Sequence, residues 1–339
     1  MKAKVSGTKK KINGTTFLLM ITILLFVVMY AAGMIVFNDK GFAKPQMFLN
    51  LFISNAGLLV IAMGETIVMI TAGIDISVGS VTALVCMVAA NQMENHGASA
   101  YTALLMALVI GLLFGLVQGF LVSYLEIQPF IVTLAGMFFG RGMTSIISTD
   151  MISIKNKTFL AWANYKIYLP IGSYSRRGKF IPAYIYPTVI IAILIFIVIA
   201  IIMKYTKFGR EVYAIGGNAQ SAMMMGLNVK KTKFKAYVLD GLLAGCGGFL
   251  FCLNSCSGFV EQAKGLEMDA ISASVIGGTL LSGGVGTPFG TVFGVLIKGT
   301  ISSLITTQGT LSSWWVRIAL SALLCFFIVL RALSCMTSV

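Results

Sequence analysis

Eight apolar runs dominate this chain, and their lengths leave few folds open to it. They extend from Thr15 to Phe37, Ala56 to Thr71, Tyr101 to Leu125, Phe130 to Ser148, Tyr184 to Met203, Ala236 to Cys256, Gly286 to Ile305 and Ser313 to Leu330. A hydrocarbon core of about 30 Å takes roughly 20 helical residues to cross. In lipid every backbone N–H and C=O must be satisfied internally, which restricts a spanning chain to helices or a closed barrel. Barrel strands alternate in polarity over about 10 residues, and stretches such as Thr188 to Met203 do not alternate. With 58% apolar and 11% charged residues, the natural solvent of the chain is lipid and the expected fold is an all-α polytopic membrane protein.

Two shorter apolar runs, Val81 to Met93 and Ile271 to Leu281, border glycine-rich stretches, GIDISVGS at Gly73 to Ser80 and SGGVGTPFG at Ser282 to Gly290. Counted as broken spans, they bring the expected total to about ten. Irregular backbone at membrane depth is tolerated only where it is buried in protein or lines a water-filled cavity, so both breaks are pathway candidates. In the first, Gly73 and Gly79 permit a tight turn while Asp75, Ser77 and Ser80 are placed to cap the freed amides of the next helix.

The net charge of +14 raises nucleic acid as a partner, but the basic residues lie mainly between the apolar runs, where they read as topology signals. Lys2 to Lys11 precede the first run, which is too long and lacks the small-residue cleavage site of a signal peptide. The expectation is a cytoplasmic segment 1–14, a single membrane domain 15–333 and a cytoplasmic tail 334–339. The loop 204–235, with seven Lys and Arg, then falls inside, and the acidic stretch Gly258 to Asp269 outside. The basic loop Thr149 to Ala183 also falls outside, against the usual bias. Six cysteines without paired spacing read as small buried hydrophobes, the one histidine, His96, as a solvated loop residue, and no metal site is expected.

Ionisable residues inside or beside spans are costly unless they face protein or water. They are Glu65, Asp75, Arg141, Asp240, Lys298 and Arg317. Glu65 suits an interhelical pair or a substrate contact. Arg141, between Gly140 and Gly142, suits structural pairing to a carboxylate or carbonyl. Asp240 and Lys298 read as span-end residues that snorkel, and Arg317, after Trp314 and Trp315, as an interfacial anchor. No H-E-x-x-H, G-x-S-x-G or Walker spacing occurs, so the chain carries no hydrolytic motif of its own. In the loop 204–235, Ala219 to Met225 reads as a short helix started by Asn218 and stopped by Gly226. Such a helix either docks a cytoplasmic partner or lies on lipid.

Several long motifs carry a resemblance: MGETIVMITAGIDISVGSVTAL at Met63 to Leu84, PFIVTLAGMFFGRGM at Pro129 to Met143, YAIGGNAQSAMMMG at Tyr213 to Gly226, EMDAI at Glu267 to Ile271, VIGGTLLSGGVGTPFGTVFG at Val275 to Gly294 and GTLSSWW at Gly309 to Trp315. In this order they resemble the ribose-type permeases of bacterial ABC sugar importers, most closely the galactofuranose-type branch, over nearly the whole chain. The resemblance implies a fold like that of type II importers, in the bacterial inner membrane. It also implies a second permease copy or paralogue, an extracytoplasmic sugar-binding protein, and a cytoplasmic ABC ATPase that binds ATP and Mg, with no cofactor on this chain. By the same likeness Gly216, Gly217, Asn218, Ala219, Ser221, Ala222 and Gly226 belong to the ATPase coupling loop. Glu65, Asp75, Ser77, Ser80, Thr279 and Ser282 would border the translocation path. Two departures stand out: a short N-terminal segment, and Ala72 where a second glycine is usual. The competing reading is an ion-coupled secondary transporter with Glu65, Asp75 or Asp240 as its ion site.

Overall fold

A computed structural model describes residues 14–174, 180–312 and 314–336. The expected N-terminal segment, the end of the tail, and Arg176, Arg177 and Lys179 fall largely or wholly outside the described residues. The helices are α1 (Gly14–Val36), α2 (Pro45–Ile70), α3 (Val78–Asn95), α4 (Ala100–Ser123), α5 (Pro129–Ile147), α6 (Lys157–Asn164), α7 (Pro187–Tyr205), α8 (Lys207–Gly217), α9 (Ala219–Met224), α10 (Val229–Ser255), α11 (Leu266–Ile276), α12 (Pro288–Gln308) and α13 (Trp314–Met336). Four short strands, β1 (Ile152–Ser153), β2 (Ile167–Tyr174), β3 (Phe180–Ile185) and β4 (Ser257–Gly258), make two small antiparallel pairs, β1 with β4 and β2 with β3. Among the described residues, seven helices are long and apolar enough to cross a membrane: α1, α2, α4, α5, α7, α10 and α12. Helices α3 and α11 correspond to the two broken runs, and α13 contains the shorter apolar stretch Trp314–Val329.

The long helix α10 organises the bundle. It runs antiparallel to α2, with Gly247 against Gly57 and Asp240 against Gly64, and antiparallel to α4, with Gly241 and Gly245 against Gly111 and Gly115. Lipid tails are as apolar as leucine, so transmembrane helices associate through close packing, and glycines let backbones approach. A Cβ on Gly111 would fall on the carbonyl oxygen of Gly241, and one on Gly115 would sit 2.6 Å from that of Tyr237. The main core gathers α2, α3 and α10 around residues such as Val60, Met63, Val81 and Leu250. A second cluster, with Phe26, Leu51, Ile297 and Phe327, ties α1, α12 and α13 to α2.

Two helices start earlier than the hydropathy of the sequence indicates. Helix α2 begins at Pro45, where a first-turn proline loses no helical hydrogen bond, rather than at Ala56. Helix α10 begins at Val229 rather than Ala236, because Asn228 accepts a hydrogen bond from the Lys231 amide and opens the helix within its lysine-rich stretch. Asp240 therefore lies well inside a helix about 40 Å long and is fully buried. It does not snorkel. Lys298, also expected near a span end, is held inside the bundle by Asp269 at 3.3 Å and by the Asn55 side chain.

The ends of α10 orient the loops. Its N-terminus lies beside α8 and α9, while its C-terminus leads into β4, which pairs with β1 after α5. The β2–β3 hairpin docks on the start of α2, where Gln46 exchanges hydrogen bonds with the backbone of Tyr184. The described parts of loop 149–183 and loop 258–269 therefore share one face of the bundle, and the 204–235 loop occupies the other.

Candidate functional site

The first break reverses the chain between α2 and α3. Helix α2 ends at Ile70, and Ala72 turns in the left-handed region at φ 61, a conformation that costs a residue with a Cβ about 1 kcal/mol or more. Glu65 reaches across the turn to accept the Asp75 amide at 3.3 Å, and Asp75 Oδ1 accepts the Ser77 amide at 2.7 Å. None of the three residues expected to cap α3 accepts from its first-turn amides; Asp75 closes the turn just before the helix. Ser77 Oγ instead accepts from Gln118 Nε2 at 2.8 Å, and Ser80 Oγ donates to the Ser77 carbonyl. Helix α5 closes over both serines through Gly136 and Gly140; a Cβ on Gly140 would lie 2.7 Å from Ser80 Oγ.

Asp240 joins Glu65 and Asp75 behind this turn, with Tyr237 donating to the Ile74 carbonyl beside them. All three carboxyls are buried, and none takes part in an ion pair among the described residues. Glu65 Oε2 also lacks a hydrogen-bond partner, and the Asp240 carboxyl faces that of Asp75. Buried acids without a counter-cation are expensive, so their gathering at a helix break makes this the candidate functional site.

The second break, between α11 and α12, carries Thr279, buried against Gly286, and Ser282, exposed at its tip. Neither sits beside Ser77 and Ser80: Thr279 lies at the end of α2, the serines beneath α5. A buried hydroxyl cluster, Thr66 with Ser274 at 3.0 Å and Thr291 at 2.7 Å, links α2, α11 and α12. Sequence reading passed over it, as it passed over Gln118, because a lone hydroxyl or amide in an apolar run gives no signal until its partner is known.

The loop 204–235 folds into two helices. Thr206 caps α8 by accepting from the Gly209 amide, Asn218 caps α9 by accepting from the Ser221 amide, and Gly226 ends the loop helix at φ 80. Ala222 is buried, while Met223, Met224 and Met225 are 62%, 80% and 69% exposed. Nearby, the Lys230 ammonium lies 2.8 Å from Glu126 and holds its carboxyl below the usual carboxylate range.

Here the three glycine-rich elements meet. Gly284 N donates to the Ile70 carbonyl at 2.8 Å. A Cβ on Gly216 would fall on that same carbonyl oxygen and on Gly284 N, and a Cβ on Gly284 would lie 2.8 Å from Gly217. Tyr213 adds a side-chain tie, its hydroxyl donating to the Gly286 carbonyl at 2.8 Å. The end of α8 thus touches both breaks, main chain against main chain.

On the opposite face, Arg141 Nη1 donates to the carbonyls of Val260 at 3.0 Å and Gln262 at 2.6 Å. Arg317 donates to the Lys264 carbonyl and stacks its guanidinium on Trp314. Two arginines from α5 and α13 therefore clamp segment 257–265, which leads to Glu267 against Gly79 at the start of α3. Replacing Arg141 with Met should free that segment at a cost of about 2 kcal/mol, the range for hydrogen bonds from a charged donor. Faster amide exchange confined to 257–266 is the expected readout, and unchanged exchange there would dismiss the clamp.

Residues 47–329 match the family model described as branched-chain amino acid transport system / permease component. The chain belongs to this family. It is 41% identical over 315 residues, 92% of this chain and 91% of the relative, to the inner membrane ABC transporter permease protein YjfF of Escherichia coli K12. It is 31% identical to the fructose import permease protein FruG of Bifidobacterium longum, covering 97% of this chain and 95% of the relative. With the ribose import permease protein RbsC of Bacillus subtilis it shares 35% identity over 81% of each chain. No solved structure matches. As a permease component, this multi-pass membrane protein depends on an ATPase and a substrate-binding protein that are separate subunits. The arrangement of the permease suits that division: a helix with exposed methionines at one face, joined through backbone to two breaks within the bundle.

Proposed function

We propose that this permease is the membrane-spanning subunit of an ATP-driven monosaccharide importer in the bacterial inner membrane, working beside a second copy or paralogue of itself. The observation that carries the reading is the junction of Gly216 and Gly217 with Ile70 and Gly284. Through it, a push on α9 reaches both helix breaks without passing through flexible side chains. In this reading both termini and the 204–235 loop face the cytoplasm. The exposed Met223 to Met225 surface and the helix capped by Asn218 dock on the cassette ATPase, which binds ATP and Mg. Sugar then moves past small polar groups rather than into a tight pocket, since strong binding would slow release. Ser77 and Ser80, screened by α5, offer hydroxyls once that helix shifts. Thr279 and Ser282 offer others nearer the cytoplasm, and Glu65 and Asp75 hold the turn between them. Relatives named for ribose and fructose import support a monosaccharide, and the galactofuranose-type motifs narrow it to galactofuranose or a ribose- or galactose-like sugar.

Vesicles containing the permease, its ATPase and its binding protein should accumulate labelled monosaccharide only with ATP inside and binding protein outside. Uphill uptake by the permease alone under a proton or sodium gradient would instead support the ion-coupled reading, with Glu65, Asp75 and Asp240 as its site.

A further inference from the structure

A groove of about 720 Å³ opens on the outer side of the bundle between α7 and the start of α12, and none of the buried acids lines it. Its walls are apolar: Phe196, Ile197, Ala200 and Ile201 from α7 and Phe289 from α12, with Phe196 and Phe289 packed edge to face at 5.0 Å. Its end beside the 204–235 loop changes character. There Lys204 and Arg210 line it, both exposed, together with Tyr205 and Tyr213, and no carboxylate does. Lys204 sits over the Tyr205 ring at 5.2 Å, and Arg210 uses one donor on the Tyr205 carbonyl, which leaves most of its fork open. The N-terminus of α12, capped by Thr287, adds the positive end of a long helix dipole to the same corner.

An apolar trough ending in two cations that form no ion pair among the described residues matches one class of ligand. We propose that the groove binds a single anionic phospholipid, its acyl chains along α7 and its phosphate between Lys204 and Arg210. A basic pocket between transmembrane helices is the expected seat for such a headgroup. The lipid would lie against Tyr213, whose hydroxyl holds the Gly286 carbonyl, so its presence would steady the contact between α8 and the second break. Assigning it to the inner leaflet rests on the orientation given above; the binding itself does not.

Native mass spectrometry of the purified permease, delipidated and then offered phosphatidylglycerol or phosphatidylcholine with identical chains, tests the site without nucleotide, sugar or partners. The expected result is preferential retention of one phosphatidylglycerol, weakened about tenfold or more in Lys204→Ala/Arg210→Ala. Ile201→Trp, which fills the trough and leaves the charges in place, should also displace it. Equal retention of both lipids, full retention by the double variant, or lipid-free dimers that Ile201→Trp separates would each overturn the proposal. Any of these results leaves the import reading standing, because that reading is tested by ATP-dependent uptake.

Discussion

Gly216→Val should abolish coupled uptake while leaving the permease in the membrane. A Cβ at this position meets the Ile70 carbonyl oxygen and the Gly284 amide nitrogen. Both are backbone atoms, and their mutual hydrogen bond at 2.8 Å joins the two breaks. No rotamer change relieves such a clash, so the end of α8 must move away. Displacing a packed backbone junction costs about 2–4 kcal/mol, and each 1.4 kcal/mol is about tenfold in an equilibrium or rate. Uptake in vesicles should fall at least about thirtyfold, with the ATPase losing its stimulation by binding protein. Gly217 provides the contrast, because a Cβ there meets nothing within 4 Å. Gly217→Ala should keep the junction and change only what docks on the outer surface of the loop. If both variants behave alike, the junction does not transmit the stroke. Ala222 is a poorer probe of docking, since it is buried and a bulky charge there would disrupt the loop itself.

The second large effect concerns assembly. Gly111→Leu should prevent α4 from seating on α10, since its Cβ would collide with the Gly241 carbonyl and lie 2.8 Å from both Cα and N of Gly245. Overpacking a tight interface typically costs about 1–3 kcal/mol, occasionally more. With backbone on both sides of the clash the upper end applies, about 3 kcal/mol or above. The expected outcome is a marked fall in melting temperature in detergent and poor accumulation in the membrane. Gly142→Ala, with nothing within 4 Å of its added carbon, should melt with the parent. A Gly111→Leu protein as stable as the parent would mean that α4 and α10 do not approach as described.

How much of this was legible in the sequence follows from what each feature depends on. Hydropathy locates a span because lipid imposes its thickness on the chain, so the seven long apolar helices and the two broken runs could be read directly. Hydropathy misplaces the start of a helix wherever polar residues interrupt its first turns, as Asn50 and Asn55 do after Pro45 and the lysines do after Asn228. Asp240 was misread for that reason: placed near the end of a run, it looked able to reach water. The α9 helix was legible because Asn218 and Gly226 carry local signals. The meeting of Gly216, Ile70 and Gly284 was not, because nothing local links positions so far apart in the chain. A signal for the α4 seam was present and went unused: Gly111, Gly115 and Gly119 recur every fourth residue, the spacing that brings transmembrane helices close. Ala72, noted in the sequence only as an unusual residue, proves to hold a positive φ.

The clamp on segment 257–265 carries a consequence of its own. Its two arginines grip carbonyls, so the grip is indifferent to which side chains the segment bears, and residues such as Val260, Glu261 and Lys264 are free to be exchanged. Under the orientation proposed above, a lip of this kind can be re-lettered to greet a different delivery protein while the latch that holds it stays the same.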